Sequence, residues 1–187
     1  MFSDILHFLV NILFSLFGIL LILRAWMYAI RLHPFNPYSQ AIFRYTDWLV
    51  QPMRKLVSPG QRLDWPSLLA GWLTALVFLA LSSVLFYGLA LAGNNLVQLL
   101  VASVLTLARW AFNVLLWVTL IQAVLSWVNP LAPAMPVLQT LTAPLLDPIR
   151  RILPAPGGLD LSPLVLLVLA QVAIMIMQRL VYQLSGL

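Results

Sequence analysis

The sequence contains no cysteine and no glutamate, and it has few charged residues of any kind. Without cysteine the chain forms no disulfide, thiolate metal site or iron–sulfur cluster, and it has no cysteine nucleophile. Charged residues make up 8% of the 187 residues, whereas soluble domains carry about 25%. Hydrophobic residues make up 63%, and the mean hydropathy is +1.00. A fold of 187 residues cannot bury so much apolar surface in its own core, so the composition predicts a membrane protein.

Motifs of known catalytic and nucleotide sites are also missing. The sequence has no Gly-x-Ser-x-Gly, no HExxH, no P-loop and no dinucleotide fingerprint. His7 and His33 fall on opposite sides of the membrane in the topology derived below, so they cannot form a bis-histidine haem site in one chain. Asp64 and Asp160 are the remaining candidates for a catalytic pair, but an N-cap is the better interpretation of an aspartate at a helix start. We therefore expect a non-enzymatic protein without cofactor or metal.

Charge-free stretches predict four membrane-spanning helices. Nineteen uncharged residues separate Asp4 from Arg24, and as a helix they cover about 28 Å of a hydrocarbon layer roughly 30 Å thick. Residues 96–108 are expected either to extend the third helix outside the membrane or to lie along its surface. Arginines are expected at the helix edges, where their side chains reach water: Arg24, Arg109 and Arg179. The predicted helices cover residues 5–30, 65–91, 104–128 and 161–180.

Two polar, proline-marked segments join these helices in pairs. Residues 41–57 and 136–154 are predicted to be short amphipathic segments in the headgroup layer. In the first we expect a helix over about 41–50, with Trp48 as an interfacial anchor, because Pro52 limits a longer helix. In the second, closely spaced prolines predict a stiff segment around Arg150 and Arg151, too short to form a regular helix.

The distribution of lysine and arginine predicts the orientation. Residues 31–64 hold five cations and residues 129–160 hold two, whereas only Arg109 and Arg179 lie at the opposite edge. Cytoplasmic loops carry the excess of cations. Both polar segments are therefore expected in the cytoplasm and both termini outside it, in a bacterial inner membrane. The cations there are expected to attract anionic lipid headgroups, and no nucleic acid is expected as a partner.

One motif occurs twice, at an offset of 96 residues. A fixed offset over about twenty residues indicates an internal repeat. The matched pairs are Thr46 with Thr142, Pro52 with Pro148, Arg54 with Arg150, Lys55 with Arg151, and Asp64 with Asp160. We therefore divide the chain into a first repeat, residues 1–93, and a second repeat, residues 94–187. Each is predicted to be a helical hairpin, and both enter the bilayer in the same sense.

The repeated motif resembles a known family. Residues 36–40 with Pro52-x-Arg54-Lys55, and the second copy over residues 147–154, are similar to the signatures of the YggT family of small integral membrane proteins of bacteria and plastids. The first copy departs from the pattern at Pro59 and in the order of Pro66 and Ser67. The resemblance implies a role in envelope or membrane-complex biology, with links to osmotic tolerance, cell division and cytochrome maturation. It implies no agreed reaction.

The two copies supply the candidate interaction motif. We expect it to contact an unidentified membrane-protein partner or a second copy of the chain, and the arginine pair of the second copy to bind a partner carboxylate, a particular headgroup or its own aspartates. A scaffold or assembly role is the first function hypothesis, and a small channel or transporter linked to ion uptake or osmotic tolerance is the alternative. The motif residues are Asn36, Pro37, Gln40, Pro52, Arg54, Lys55, Asp64, Asp147, Pro148, Arg150, Arg151, Pro154 and Asp160.

Overall fold

The computed structural model describes residues 2–32, 36–87, 96–153 and 160–185, and these ranges form six α-helices and no strand. Four of the helices are long and apolar enough to cross a membrane, which confirms the predicted all-α membrane class. The helices are α1 (Phe2–Ala29), α2 (Pro37–Leu56), α3 (Trp65–Tyr87), α4 (Leu96–Val128), α5 (Met135–Ile152) and α6 (Ser162–Ser185). The two amphipathic helices are α2 and α5.

The four long helices pack as two pairs, α1 with α3 and α4 with α6. In the first pair the ring centroids of Phe14 and Phe78 are 5.6 Å apart, and Leu21 lies beside Gly71. Since residue numbers rise in α1 while they fall in α3 along this contact, the two helices are antiparallel. Helix α2 packs on α1 and α3, and α5 packs on α4 and α6, so each pair carries one amphipathic helix.

Both amphipathic helices lie at the same end of the bundle. Met27, near the end of α1, forms one apolar cluster with Val137 and Leu141 of α5, and Ile42 of α2 packs against that cluster. We call this end, with α2 and α5, the loop end. Which side of the membrane it faces stays a prediction from the cation count.

The two pairs meet at a close contact between α1 and α4. A Cβ atom at Gly18 would stand 2.1 Å from Cε3 of Trp110, so α4 approaches α1 only because this position has no side chain. Nearer the loop end, a cavity of about 10 Å³ lies between the pairs, lined in part by Leu23, Val118 and Thr119. That volume holds about one water molecule, so the pairs are packed together at this level.

Three prolines lie inside the amphipathic helices, and here two predictions were wrong. Helix α2 continues through Pro52 to Leu56, and α5 continues through Pro144 and Pro148 to Ile152. Proline removes one backbone hydrogen bond and crowds the preceding turn. These prolines are exposed, so water can satisfy the freed carbonyls, while the opposite faces pack on the bundle. The arginine pair of the second copy therefore forms a helical last turn and not a short irregular segment.

Residues 96–108 continue α4 as helix, and Ala102, Ser103 and Thr106 are buried. They therefore belong to the packed bundle and do not lie along a surface. Arg109 follows directly, and its neighbour Trp110 packs on Gly18, inside the apolar run of α1. Arg109 thus lies alongside that run and not beyond its end, contrary to the predicted edge position. The 33 residues of α4 exceed the length needed for one crossing. The position of its charge-free segment in the sequence therefore did not determine how deep in the bundle Arg109 lies.

Two predicted boundaries near the middle of the chain stay untested. Helix α3 ends at Tyr87, and the predicted continuation to residue 91 lies outside the described residues. The division between the repeats at residue 93 also lies there, so it stays a prediction.

Candidate functional site

A buried arginine fixes the first amphipathic helix to the bundle. Arg24 of α1 is only 2% exposed. Its Nη1 donates to Oγ1 of Thr46 at 2.7 Å and lies 2.7 Å from Oδ1 of Asp47, both in α2. The guanidinium also covers the ring of Phe43, 4.8 Å from its centroid. Helix α2 is therefore held on α1 by charge, hydrogen bonding and a cation–π contact together.

The same guanidinium reaches the start of α3. Its Nε lies 3.8 Å from Oδ2 of Asp64, which is 1% exposed and also accepts a hydrogen bond from Ser67 Oγ at 2.5 Å. The Nε of Arg24 and the Oδ1 of Asp64 are buried without a hydrogen-bond partner among the described residues. Tyr28, one turn further along α1, donates to the carbonyl oxygen of Gly60 at 2.9 Å. Helix α1 thus organises the whole connection from α2 to α3.

Two predictions change here. Arg24 was expected to reach water at a helix edge; instead it is buried, because Asp47 and Asp64 offset the cost of removing its charge from water. Asp64 stands at the predicted helix start, where its backbone carbonyl accepts from the N–H groups of Ser67 and Leu68. Its carboxylate, however, faces Ser67 and Arg24, and within the described residues it caps no backbone N–H.

The second repeat fixes its amphipathic helix in a related way. The hydroxyl of Thr142 in α5 forms a hydrogen bond with the side-chain amide of Gln122 in α4. Thr142 and Thr46 each donate to the carbonyl four residues earlier, at 2.9 Å and 2.7 Å. The two threonines are one offset of 96 residues apart. Each repeat therefore ties its amphipathic helix to a membrane helix through the equivalent threonine. The partner is a charged arginine in the first repeat and a neutral glutamine in the second.

In the second copy the arginine binds aspartates of its own chain. The Nε of Arg150 donates to Oδ2 of Asp160 at 2.8 Å, and its Nη1 donates to Oδ1 of Asp147 at 3.3 Å. Asp160 Oδ1 accepts from the backbone N–H of Ser162, the first residue of α6, at 2.9 Å. Leu161 occupies the N-cap position, so Asp160 supports the helix start from one residue before the predicted cap. The three charged side chains are each between 41% and 55% exposed. This cluster joins the last turn of α5 to the first turn of α6.

Asp160 gives this cluster a predicted pH dependence. Partial burial raises the pKa of Asp160, but hydrogen bonds from Ser162 and Arg150 outweigh it, so the pKa lies below its usual value. A carboxylate with a depressed pKa stabilises the fold above its unfolded pKa, and this contribution is lost as the pH falls through the folded pKa. We expect Asp160→Asn, which keeps the cap to Ser162, to lower the free energy of unfolding by less than about 1 kcal/mol at pH 7.

Thermal unfolding of the purified protein in detergent checks this expectation. The difference between wild type and Asp160→Asn should fade as the pH falls through the lowered pKa of Asp160 in the folded protein. A difference of the same size at neutral pH and in acid below that pKa would show that the charge of Asp160 is not what joins the helices.

The cations of the first copy have no such partners. Arg54 and Lys55 are exposed, and within the described residues neither forms an ion pair. Asp64, the counterpart of Asp160, is buried against Arg24, and Gln51 stands where the second copy has Asp147. The two copies of the motif therefore use their cations differently. Two further exposed cations, Arg44 of α2 and Arg62 of the connection to α3, also lack an acidic partner there. We call the cations of α2 and its following connection the α2 cation surface: Arg44, Arg54, Lys55 and Arg62.

The remaining motif residues have local roles or lie on the surface. Asn36 caps α2, since its side-chain oxygen accepts from the N–H of Tyr38 at 3.0 Å, and Pro37 is the first helical residue. Gln40 is exposed in the first turn. Pro148 is exposed inside α5, and Pro154 lies outside the described residues. In the described part of the chain, no three His, Cys, Asp or Glu side chains are placed to hold a metal ion.

Sequence reasoning missed the importance of Arg24 and Gln122. Both are polar residues inside a membrane-length helix, and both face the repeated threonine of their own repeat. The offset had already identified the threonines, but a partner about twenty residues earlier is visible only when the helix is folded back against α2 or α5.

The chain is similar to known proteins over most of its length. The CCB3/YggT family description matches residues 3–90 and 101–181, and each segment contains one copy of the motif. A Vibrio alginolyticus protein described as "Uncharacterized protein in proC 3'region" is 39% identical over 173 residues, which cover 90% of each chain. "Uncharacterized protein YggT" of Escherichia coli (strain K12) is 33% identical over 168 residues, covering 89% of this chain and 86% of that one. An uncharacterized Haemophilus influenzae protein is 33% identical over 154 residues, with 82% and 80% covered. No solved structure matches the chain.

Proposed function

The chain belongs to the CCB3/YggT family, and from this membership and the site geometry we propose that it organises or assembles a membrane complex of the bacterial envelope without catalysing a reaction. The α2 cation surface is the observation that supports this most. Its cations are exposed and free of acidic partners in the described residues. Three of them lie on α2, which Arg24 holds in one position, and Arg62 lies in the connection to α3. Exposed, unpaired cations on a fixed helix are suited to an acidic segment of another membrane protein.

The proposed location is the bacterial inner membrane, with the loop end in the cytoplasm. The cation count favours this orientation, because seven of the ten cations of the chain lie in the two polar segments. Both termini are then outside. In this arrangement the α2 cation surface meets cytoplasmic segments of a neighbouring membrane protein next to anionic headgroups.

A small channel or transporter linked to ion uptake or osmotic tolerance is the alternative. The buried pair of Arg24 and Asp64 favours it, since ionisable groups inside a membrane bundle often mark ion pathways. Against it, Trp110 fills the contact between the helix pairs, and the cavity near Thr119 has only about 10 Å³. We therefore rank the scaffold role above transport.

Photo-crosslinking in native membranes tests the proposal. With a photoreactive amino acid at position 54, we expect one membrane protein to be captured through an acidic peptide. Replacing Lys55 and Arg62 by glutamine should lower the yield several-fold, because these cations attract the same acidic segment. The matched control is the probe at position 164, where Leu164 is exposed on the membrane-length helix α6.

Other outcomes would contradict the proposed partner site. Equal capture from positions 54 and 164, or capture that does not depend on the cations, would contradict a specific partner site. Ion flux through vesicles containing only the purified chain, at rates above those of empty vesicles, would favour the transport alternative.

A further inference from the structure

Helices α1, α2 and α3 enclose an apolar groove of about 440 Å³. Its walls include Leu13, Phe17, Trp48, Leu73 and Val77. The rings of Phe17 and Trp48 lie 5.5 Å apart, and Trp48 is 68% exposed at the rim. A polar residue, Thr74, also lines the groove, but its hydroxyl already donates to the carbonyl of Ala70 at 2.8 Å. The groove is therefore suited to a hydrocarbon chain.

Two cations lie on the same face of α2 as this tryptophan. Arg44 precedes Trp48 by four residues and Lys55 follows it by seven. At 3.6 residues per turn these three positions fall within roughly 40° around the helix axis. Both cations are exposed and have no acidic partner in the residues that the structure describes. Along the helix axis Arg44 lies about 6 Å to one side of Trp48 and Lys55 about 10 Å to the other. Neither cation lines the groove itself, so the two flank its tryptophan rim.

We propose that this groove binds one acyl chain of an anionic phospholipid, with the phosphate at the rim beside Trp48, between Arg44 and Lys55. An apolar cleft of this volume with a few polar groups at its edge is typical of a single small ligand. Tryptophan is favoured at the level of the headgroups, and arginine and lysine beside it recognise phosphate. A second copy docking its own α2 face would bring like charges together, so a lipid fits the charge better.

The second repeat does not reproduce this site. The residues 96 positions after Arg44, Trp48 and Lys55 are Thr140, Pro144 and Arg151. Only the last keeps its charge, and a proline takes the place of the tryptophan. The proposed site is therefore specific to the first repeat, and Arg151 provides a matched control.

Arg44 and Lys55 also belong to the α2 cation surface, so an acidic protein segment and a lipid phosphate would compete for them, and lipid binding has to be measured where no protein partner is present. The test therefore uses the purified full chain alone in vesicles. The probes are phosphatidylglycerol and phosphatidylcholine with brominated acyl chains, which quench tryptophan fluorescence at contact. The chain has seven tryptophans, so the signal of Trp48 is taken as the difference between the chain and its Trp48→Phe variant.

We expect phosphatidylglycerol to quench the Trp48 signal at a lower lipid fraction than phosphatidylcholine. The double variant Arg44→Gln, Lys55→Gln should reduce this preference by roughly 30-fold, as two lost phosphate contacts imply. Arg151→Gln should leave the preference unchanged. Val77→Phe, which fills part of the groove, should weaken quenching by both lipids while the chain still inserts.

Three results would overturn the proposal. Equal quenching by the two lipids would show that no anionic site is present. An equal loss of preference in Arg151→Gln and in the double variant would show general attraction to an anionic surface. Undiminished quenching in Val77→Phe would show that the acyl chain lies outside the groove.

Discussion

Replacing Arg24 with leucine should destabilise the protein by about 3–5 kcal/mol, because it leaves the carboxylate of Asp64 buried without a cation. Asp64 is 1% exposed, and Ser67 is the one hydrogen-bond donor to its side chain among the described residues. The variant also loses the hydrogen bond to Thr46 and the ion pair with Asp47 that hold α2 on α1. The free energy of unfolding of the purified chain in detergent micelles measures the effect.

Two companion variants separate charge from packing. Arg44→Leu removes an exposed arginine of α2, the helix that Arg24 contacts, and should cost no more than about 0.5 kcal/mol. The double variant Arg24→Leu, Asp64→Leu should recover the part of the loss that comes from the unpaired carboxylate of Asp64, but not the contacts of Arg24 with Thr46 and Asp47. If Arg24→Leu is no more costly than Arg44→Leu, the buried pair does not hold the first repeat together.

Gly18→Ala should also have a large effect, because one methyl group is enough to separate α1 from α4. The new Cβ would stand 2.1 Å from Cε3 and 2.4 Å from Cζ3 of Trp110. This ring is 1% exposed and lies 6.2 Å from the ring of Phe78, so it has little room to move. Overpacking of this kind typically costs about 1–3 kcal/mol, occasionally more. The same unfolding measurement detects it.

Gly71→Ala is the matched control for this contact. The nearest atom to a Cβ at Gly71 is Cδ1 of Leu107, at 2.9 Å, and the end of a leucine side chain can move aside. The cost should therefore be clearly smaller than for Gly18→Ala. Adding Trp110→Leu to Gly18→Ala should restore part of the lost stability, which a double-mutant cycle measures as a coupling energy. Equal costs at Gly18 and Gly71, with no coupling to Trp110, would contradict a close contact between the helix pairs.

The sequence predicted the membrane helices well because their signal is local. A charge-free run of sufficient length has few alternatives to a membrane helix, and all four predicted spans correspond to membrane-length helices. The level of Arg109 could not be predicted in the same way, since α4 has 33 residues and only its packing against Gly18 fixes its position. Helix continuation through Pro52 likewise depends on which face is exposed, and this is decided by tertiary packing.

The candidate site was predicted only in part, for a similar reason. The offset identified Thr46 and Thr142 before any contact was known, and it identified the cation pairs as equivalent positions. It could not show that Asp160 faces Arg150 while Asp64 faces Arg24. The difference depends on Arg24 of α1, which has no counterpart in the second repeat, because the equivalent position, 120, is a leucine. Equivalent positions in a repeat therefore share backbone placement but not chemical surroundings.

The most direct test of this account compares crosslinking at two equivalent positions, 54 and 150, in native membranes. The account predicts that a photoreactive residue at position 54 captures a membrane protein through an acidic peptide. At position 150 the neighbouring charges are Asp147 and Asp160, which repel an acidic peptide, so the probe should give several-fold less of that product per folded protein. Equal yields from both positions, or a higher yield from position 150, would contradict the claim that the two copies use their cations differently.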